Sequence, residues 1–404
     1  MKEQDNIIST LVSNFIKNYN LDNLKKSEQG MEFVNSLLTF AFNSIMKLER
    51  DIYLNKHHDD VANGFFNRTL TTANQKISLN VPRTRNSNFF PSLIQKYSRV
   101  IPSEYSNIVE SLLLSCASIE KLKSAISMLN LPFSPEEIDK ITTGLEKEFH
   151  HYVNRELSAD FLIISVDVKI LNVKYGDTVK KSSLYTAIGV DMDAKKEVIA
   201  SKLYKGNESL EHWKNFLISI KNRGLARCLL FITDNFKGLT TLIKNLFPSS
   251  FHQLCLFHLI KNAKYNLPKD SYKYFKEQLD LICNSKSFDD AYNSFLKLID
   301  YVKQHNKNFA SSLEKFHENY LTLTNFPQEI RKRIKSTNMS ENLHKELEKI
   351  RLNTGGFFQS EKILSVKWYI FIKNLTKSQW KFPDPLFKHF IFTLHSIFYQ
   401  KFEA

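Results

Sequence analysis

Phe161-Leu162-Ile163-Ile164-Ser165-Val166-Asp167-Val168 is an apolar, β-branched run that ends on a carboxylate. Such a run fits a strand covered on both faces, with Asp167 at its end. Two more strands are expected downstream, Leu184 to Val190 and Glu197 to Leu203, joined by a turn at Asp193-Ala194-Lys195. A helix from about Glu208 to Lys221 leads through Gly224 to a second buried strand, Cys228-Leu229-Leu230-Phe231-Ile232. A short helix near Leu239 to Leu246, a strand near Phe251 to Leu254 and a helix from about Leu256 complete the series.

The order βββαβαβα matches an α/β ribonuclease-H-like core, an antiparallel meander extended by parallel strands into a mixed sheet. Around it the chain is expected to be helical. Residues 1–62 repeat apolar positions at helical spacing (Ile7, Ile8, Leu11, Phe15, Ile16, then Phe33, Leu37, Leu38) and form a candidate dimerisation region. Residues 63–102 are a basic arm with a short strand at Lys76 to Val81, entered from a turn at Ala73-Asn74-Gln75. Residues 103–158 are helical, with a helix start at Ser134-Pro135-Glu136-Glu137. A helix-turn-helix is one reading of that segment. Packing or dimerisation is the other, favoured by the acids Glu136, Glu137 and Asp139. The catalytic core is expected over 159–269, an all-helical insertion over 270–326, and a basic helical part over 327–404.

Composition narrows the class. With 42% hydrophobic and 24% charged residues in 404, the chain is not a disordered one. Four cysteines, Cys116, Cys228, Cys255 and Cys283, make no disulfide scaffold and point to a reducing cytoplasm. The first residues do not read as a signal peptide, and no apolar run approaches membrane-spanning length. The net charge of +14 favours a polyanion, nucleic acid ahead of a membrane surface.

Two aspartates stand where such a core presents chemistry. Asp167 ends the first buried strand and Asp234 follows the other, in Thr233-Asp234-Asn235-Phe236-Lys237-Gly238. Two carboxylates at adjoining strand ends repel unless a cation lies between them. Mg²⁺ takes oxygen ligands of this kind, and two such ions about 3.5–4 Å apart would serve both oxygens of an in-line displacement. The alternative is that each aspartate caps a turn or helix. Glu341, in Ser336-Thr337-Asn338-Met339-Ser340-Glu341-Asn342-Leu343-His344-Lys345-Glu346, is the candidate third carboxylate. Its spacing from Asn338 is also that of a capping box, and Glu341 with Lys345 is an ordinary i,i+4 pair. Cys255 and His258 have the spacing of half a zinc site without a convincing second half; a buried cysteine with a satisfied histidine is the other reading.

Several blocks, in order, make the sequence resemble a Mutator-type insertion-sequence transposase, a DDE family with a ribonuclease-H-like core. Asn63-Gly64-Phe65-Phe66-Asn67-Arg68, Val81-Pro82-Arg83-Thr84-Arg85 and Phe89-Phe90-Pro91-Ser92-Leu93 resemble its upstream block. Ser165-Val166-Asp167-Val168 and Thr233-Asp234 with Lys237-Gly238-Leu239 resemble the two aspartate motifs. Gln253-Leu254-Cys255-Leu256-Phe257-His258 is similar to its Cys-x-x-His segment, and Ser336 to Glu346 to its glutamate motif. The resemblance implies that Asp167, Asp234 and Glu341 ligate two Mg²⁺ ions, with Mn²⁺ as substitute. It gives His258, Cys255, Asn338 and Lys345 supporting places. It also implies strand cleavage at transposon ends, transfer of the freed 3′-hydroxyl into target DNA, and a homodimer on terminal inverted repeats, in the cytoplasm at the nucleoid. A transposase-derived DNA-binding protein without catalysis and a ribonuclease-H-like nuclease are the alternatives.

Charge is concentrated near the glutamate motif. Arg331 to Lys381 holds twelve Lys and Arg against four acids, as a phosphate-tracking surface requires. Arg331, Lys332, Arg333, Lys345, Lys349 and Arg351 are the expected DNA contacts there. Arg68, Arg83, Arg85, Lys96 and Arg99 are those of the arm, beside Phe89, Phe90 and Tyr97.

Overall fold

A 30-residue helix, α1 (Ser27–Lys56), covers a two-stranded antiparallel sheet of β1 (Ala62–Thr71) and β2 (Lys76–Thr84). Alternation in β2 puts Ile77, Leu79 and Val81 on one face, where they bury Met46 and Ile94 with them. This computed structural model describes residues 27–71, 76–94, 102–128 and 133–403. The expected helix at Ile7 to Ile16, the turn at Ala73-Asn74-Gln75, and Lys96, Tyr97 and Arg99 lie outside them. The chain divides into two compact units, one of Met1–Leu113 with Ile119–Ile138, the other of Leu114–Ser118 with Asp139–Ala404.

Three helices follow β2: α2 (Pro102–Ser115), α3 (Ile119–Met128) and α4 (Pro135–Asn154). The start of α4 is a reciprocal box. The Glu137 N–H donates to Ser134 Oγ at 3.2 Å, the Ser134 N–H donates to Glu137 Oε2 at 2.8 Å, and Pro135 occupies the first turn.

The second unit is built on a five-stranded mixed sheet of order β5-β4-β3-β6-β7. Its antiparallel strands are β3 (Asp160–Tyr175), β4 (Thr178–Val190) and β5 (Lys196–Lys205). β6 (Arg227–Thr233) and β7 (Phe251–Leu254) extend it in parallel. One face is covered by α5 (Leu210–Asn222) and α6 (Leu239–Leu246), which bury Trp213, Phe216, Leu217 and Ile243 against Phe161, Ile164, Val166 and Phe231.

β3 is longer than its apolar run, 16 residues in all, so Asp167 sits in mid-strand rather than at a strand end. The half from Lys169, where Lys169, Asn172 and Lys174 interrupt the apolar residues, is held by β4, which pairs with β3 as far as Tyr175↔Thr178. What stops near Asp167 is the pairing with β6, last seen at Ser165↔Ile232.

After β7 come α7 (Leu256–Asn266), α8 (Lys269–Cys283), α9 (Phe288–His305), α10 (Lys307–Lys315), α11 (His317–Leu321) and a 3₁₀ turn (Thr322–Asn325). α12 (Gln328–Ile334), α13 (Asn338–Asn353), α14 (Glu361–Lys377), α15 (Pro385–His389) and α16 (Ile391–Phe402) complete the chain. A core of Leu162, Ile163, Leu230 and Ile232 with α7 to α12 and α16 lies against the sheet. α13 and α14 bury Leu343, Leu347, Leu364 and Trp368 with Leu171, Val173 and Leu184. Among the described residues no helix is long and apolar enough to cross a membrane.

Candidate active site

The site is assembled where β6 ends beside β3. Two residues beyond the Ser165↔Ile232 pair, the two chains present Asp167 and Asp234. α13 brings the third carboxylate. Ser340, Leu343, His344 and Leu347 form its buried stripe, at the i, i+3, i+4, i+7 spacing of one helix face. Ser340 Oγ lies 3.0 Å from Ser165 Oγ, and His344 Nδ1 donates to Asp167 Oδ2 at 3.1 Å. Glu341, between these two anchors, is half-buried on the first turn of α13.

The capping alternatives are not what the side chains do. The N-cap of α13 is Thr337 with no side-chain cap, Asn338 is exposed inside the helix, and Glu341 Oε1 accepts from Thr337 Oγ1 at 3.2 Å. Asp234 Oδ1 is buried without a hydrogen-bond partner, and α6 is capped by Gly238 instead. Gly238 has φ +86, and a Cβ there would stand 2.9 Å from Leu210 Cδ2. Only glycine suits that left-handed turn.

Electrostatics follow from the crowding. Burial, then the charge of Asp167, pushes the Asp234 carboxyl up to about 6. Burial also raises Glu341, opposed by His258 and assisted by Asp167. A hydrogen bond to Cys255 raises His258 to about 9 against the effect of burial, with the charges of Cys255, Asp167 and Asp234 adding to it. His258, and at Glu341 also Lys345, thus sets positive charge against the carboxylates. Cys255 is buried at the start of α7, and its Sγ accepts from the Thr337 N–H at 3.4 Å. The chain is pinned at the same place by the Leu256 N–H donating to Lys335 O at 2.8 Å.

Two contributors escaped the sequence reading. Glu208, just before α5, receives Trp213 Nε1–H on Oε1 at 2.7 Å, and burial with the nearby Asp234 pushes it up to about 7. His344 pins Asp167 from 177 residues away. His344 lies three residues after Glu341, one turn along the same helix, which was the available signal; Glu208 looked like an acid at a helix start.

The basic residues divide. Lys332, Arg333 and Lys345 are exposed. Lys349 is exposed but bonded to Glu346 at 2.6 Å, and Arg351 is bonded to both oxygens of Glu348. Arg331 corrects the expectation of a surface contact: it is buried, donating to the carbonyls of Phe326, Cys283, Ser285 and Thr324. Lys367, counted in the same basic stretch, is buried too and donates to Leu114 O and Cys116 O. A tally of charges cannot see that a cation has gone inside to close helix ends. In the other unit Arg83 and Arg85 are exposed, Arg83 over the Phe66 ring at 5.8 Å, while Arg68 lies 6.0 Å from the Phe90 ring.

Known proteins resemble the chain over most of its length. It is 28% identical over 322 residues to the transposase for insertion sequence element IS256 in transposon Tn4001 of Staphylococcus aureus, covering 77% of this chain and 82% of that one. The transposase for insertion sequence element IS905 of Lactococcus lactis is 27% identical over 338 residues, with 81% and 85% covered. Among solved structures, the Drosophila P element transposase strand transfer complex matches with a TM-score of 0.27 at 12% identity over 73% and 82% of the two chains, too slight a likeness to argue from. The family model described as "Transposase, Mutator family" matches residues 10–381, and the chain belongs to that family.

Proposed function

We propose that this transposase cleaves DNA strands at transposon ends and joins the freed 3′-hydroxyl to target DNA, using Asp167, Asp234 and Glu341 as its metal-holding carboxylates. One observation carries this reading: burial, with the charge of Asp167 on β3, raises both Asp234 at the β6 end and Glu341 on α13, and Asp234 Oδ1 is buried and unpartnered. That oxygen donor set fits a hard divalent ion, and Mg²⁺, or Mn²⁺ in its place, would supply Lewis-acid activation of water or hydroxyl and of the phosphate oxygens.

The chain's own residues do the rest. His344 holds Asp167 in one orientation and Thr337 holds Glu341. Lys345, with Lys332 and Arg333, offers exposed charge to the DNA backbone, and Arg83 and Arg85 do so in the other unit, with Arg68 half-buried beside them on the same sheet. The meander followed by two parallel strands supports a ribonuclease-H-like core, into which we take residues 270–326 as a helical insertion. Two ends must be handled together, so the working form is a homodimer on paired terminal inverted repeats, located with the DNA at the nucleoid.

The test is a terminal-repeat duplex with Mg²⁺, followed for nicked and joined products. Wild-type protein forms both; Asp167→Asn and Glu341→Gln bind the duplex and form neither. Unchanged cleavage by either variant would overturn the assignment, and nicking without joined products would make the protein a nuclease.

A further inference from the structure

We infer that Cys255, His258 and Glu341 form a second kind of metal site, one for a thiophilic divalent ion such as Zn²⁺, which withdraws Glu341 from the carboxylate set and shuts strand cleavage off. The inhibitory half rests on the function proposed above; the site itself does not.

Geometry comes first. One ligand atom from each residue, a thiol sulfur, an imidazole nitrogen and a carboxylate oxygen, lies within 4.8 Å of the other two. Among the described residues no other grouping of His, Cys, Asp and Glu has this property. Ligands on a tetrahedral zinc stand roughly 3.5 Å apart, given bonds of about 2.0–2.3 Å, so each separation must shorten by no more than about 1.3 Å to close the set. Three protein ligands with an open fourth position are a familiar zinc arrangement.

The surroundings are those of a metal-binding thiol rather than an inert one. A buried cysteine that merely fills space needs no polar neighbours. Cys255 has them: the Thr337 N–H donates to its Sγ at 3.4 Å, and the Thr337 hydroxyl stands 3.4 Å from that sulfur and 3.2 Å from Glu341 Oε1. One residue thus touches two of the three ligands, as outer-shell groups that orient ligands do. His258 Nδ1 is buried without a partner. Cys255 caps α7 and His258 follows three residues later, so both side chains share its first turn.

The donor chemistry separates this site from the magnesium one. Mg²⁺ requires oxygen and near-octahedral geometry, whereas sulfur and imidazole select zinc and its neighbours. Glu341 is common to both sets, and zinc inhibits if it turns this carboxylate away from Asp167 and Asp234 rather than bridging to them.

Co²⁺ titration of the full-length protein tests the site by its colour. One equivalent of Co²⁺ is expected to give a sulfur-to-cobalt charge-transfer band that Zn²⁺ abolishes. Cys255→Ser should lose the band while its thermal melt remains cooperative, and Glu341→Gln should weaken Co²⁺ at least 10-fold. No band, or a band that survives Cys255→Ser, overturns the site; unchanged Co²⁺ affinity in Glu341→Gln removes Glu341 from it. In the cleavage assay, Zn²⁺ added at saturating Mg²⁺ should slow the wild type at least 10-fold, with a chelator selective for zinc restoring the rate. Tight Zn²⁺ binding that leaves the rate intact overturns the inhibition. Loss of the proposed function itself would show differently, as a wild type that never cleaves, and the cobalt results would still decide the metal site.

Discussion

β3 and β6 run side by side with one offset, and the two ends of the pair are treated in opposite ways. At the start, 67 residues separate Asp160 from Arg227, whose guanidinium donates to both carboxylate oxygens at 2.7 and 2.6 Å. At the other end the same offset separates Asp167 from Asp234, and there the partner is a second carboxylate. The first aspartate has its countercharge built in and is chemically finished. The second pair is compensated by His258 and, on the function proposed, by ions that come and go. A carboxylate answered by arginine is architecture, whereas one left short of positive charge is available for binding.

Exchanging the charge at each end should give opposite results. Asp234→Asn is expected to reduce strand cleavage by roughly 10³-fold or more, the scale on which members of an interdependent set act. The same variant should raise the melting temperature of metal-free protein, because a repulsion has gone. Asp160→Asn should lower the melting temperature and leave cleavage as it was. Calorimetry beside the nicking assay checks both, and a metal-free Asp234→Asn protein less stable than wild type would contradict the comparison.

pH sharpens it further. Asp234 rises from 3.8 to about 6 and Glu208 from 4.5 to about 7, so the folded chain holds protons that the unfolded chain releases. Their contribution to stability is complete below the ordinary carboxylate values and is lost as pH rises through the folded ones. Without divalent metal, the melting temperature should therefore fall between about pH 4 and 7. Mg²⁺ or Mn²⁺, or Asp234→Asn, should flatten that fall; a melting curve indifferent to metal at pH 7.5 would count against the reading.

His344 tests how firmly the open end is held. His344→Ala is expected to weaken Mn²⁺ binding about 10–100-fold, the usual cost of losing a group that orients a metal ligand, with His344→Asn recovering part of it. Direct Mn²⁺ titration separates this from unfolding. The smallest effect belongs to the closed end. Arg227→Ala removes a partly exposed pair and should cost less than about 1 kcal/mol by denaturant melt, with cleavage unaltered.

Much of the sheet was legible because its signals are local. The apolar stretches Phe161 to Ile164 and Cys228 to Ile232 each lie within a strand, and so does the short segment Phe251 to Leu254. The later half of β3 carried less signal, since Lys169, Asn172 and Lys174 are held there by pairing with β4 rather than by their own burial. The carboxylates could be nominated from chemistry and spacing, but their partners could not. His344 meets Asp167 from 177 residues away, and Arg331 meets Cys283 O from 48 away. A basic side chain reads the same in sequence whether it faces solvent or closes a helix end.

The bond from the Leu256 N–H to Lys335 O joins the place where the chain leaves the sheet to the place where it returns. Everything between them, α7 to α12, begins and ends at one point. The distance in sequence from Asp234 to Glu341 therefore has no bearing on the distance between their carboxylates. Helical material far from the sheet could be lengthened, shortened or exchanged within this loop at little geometric cost, provided Cys255, His258, Thr337, the join and the core packed on the sheet persist.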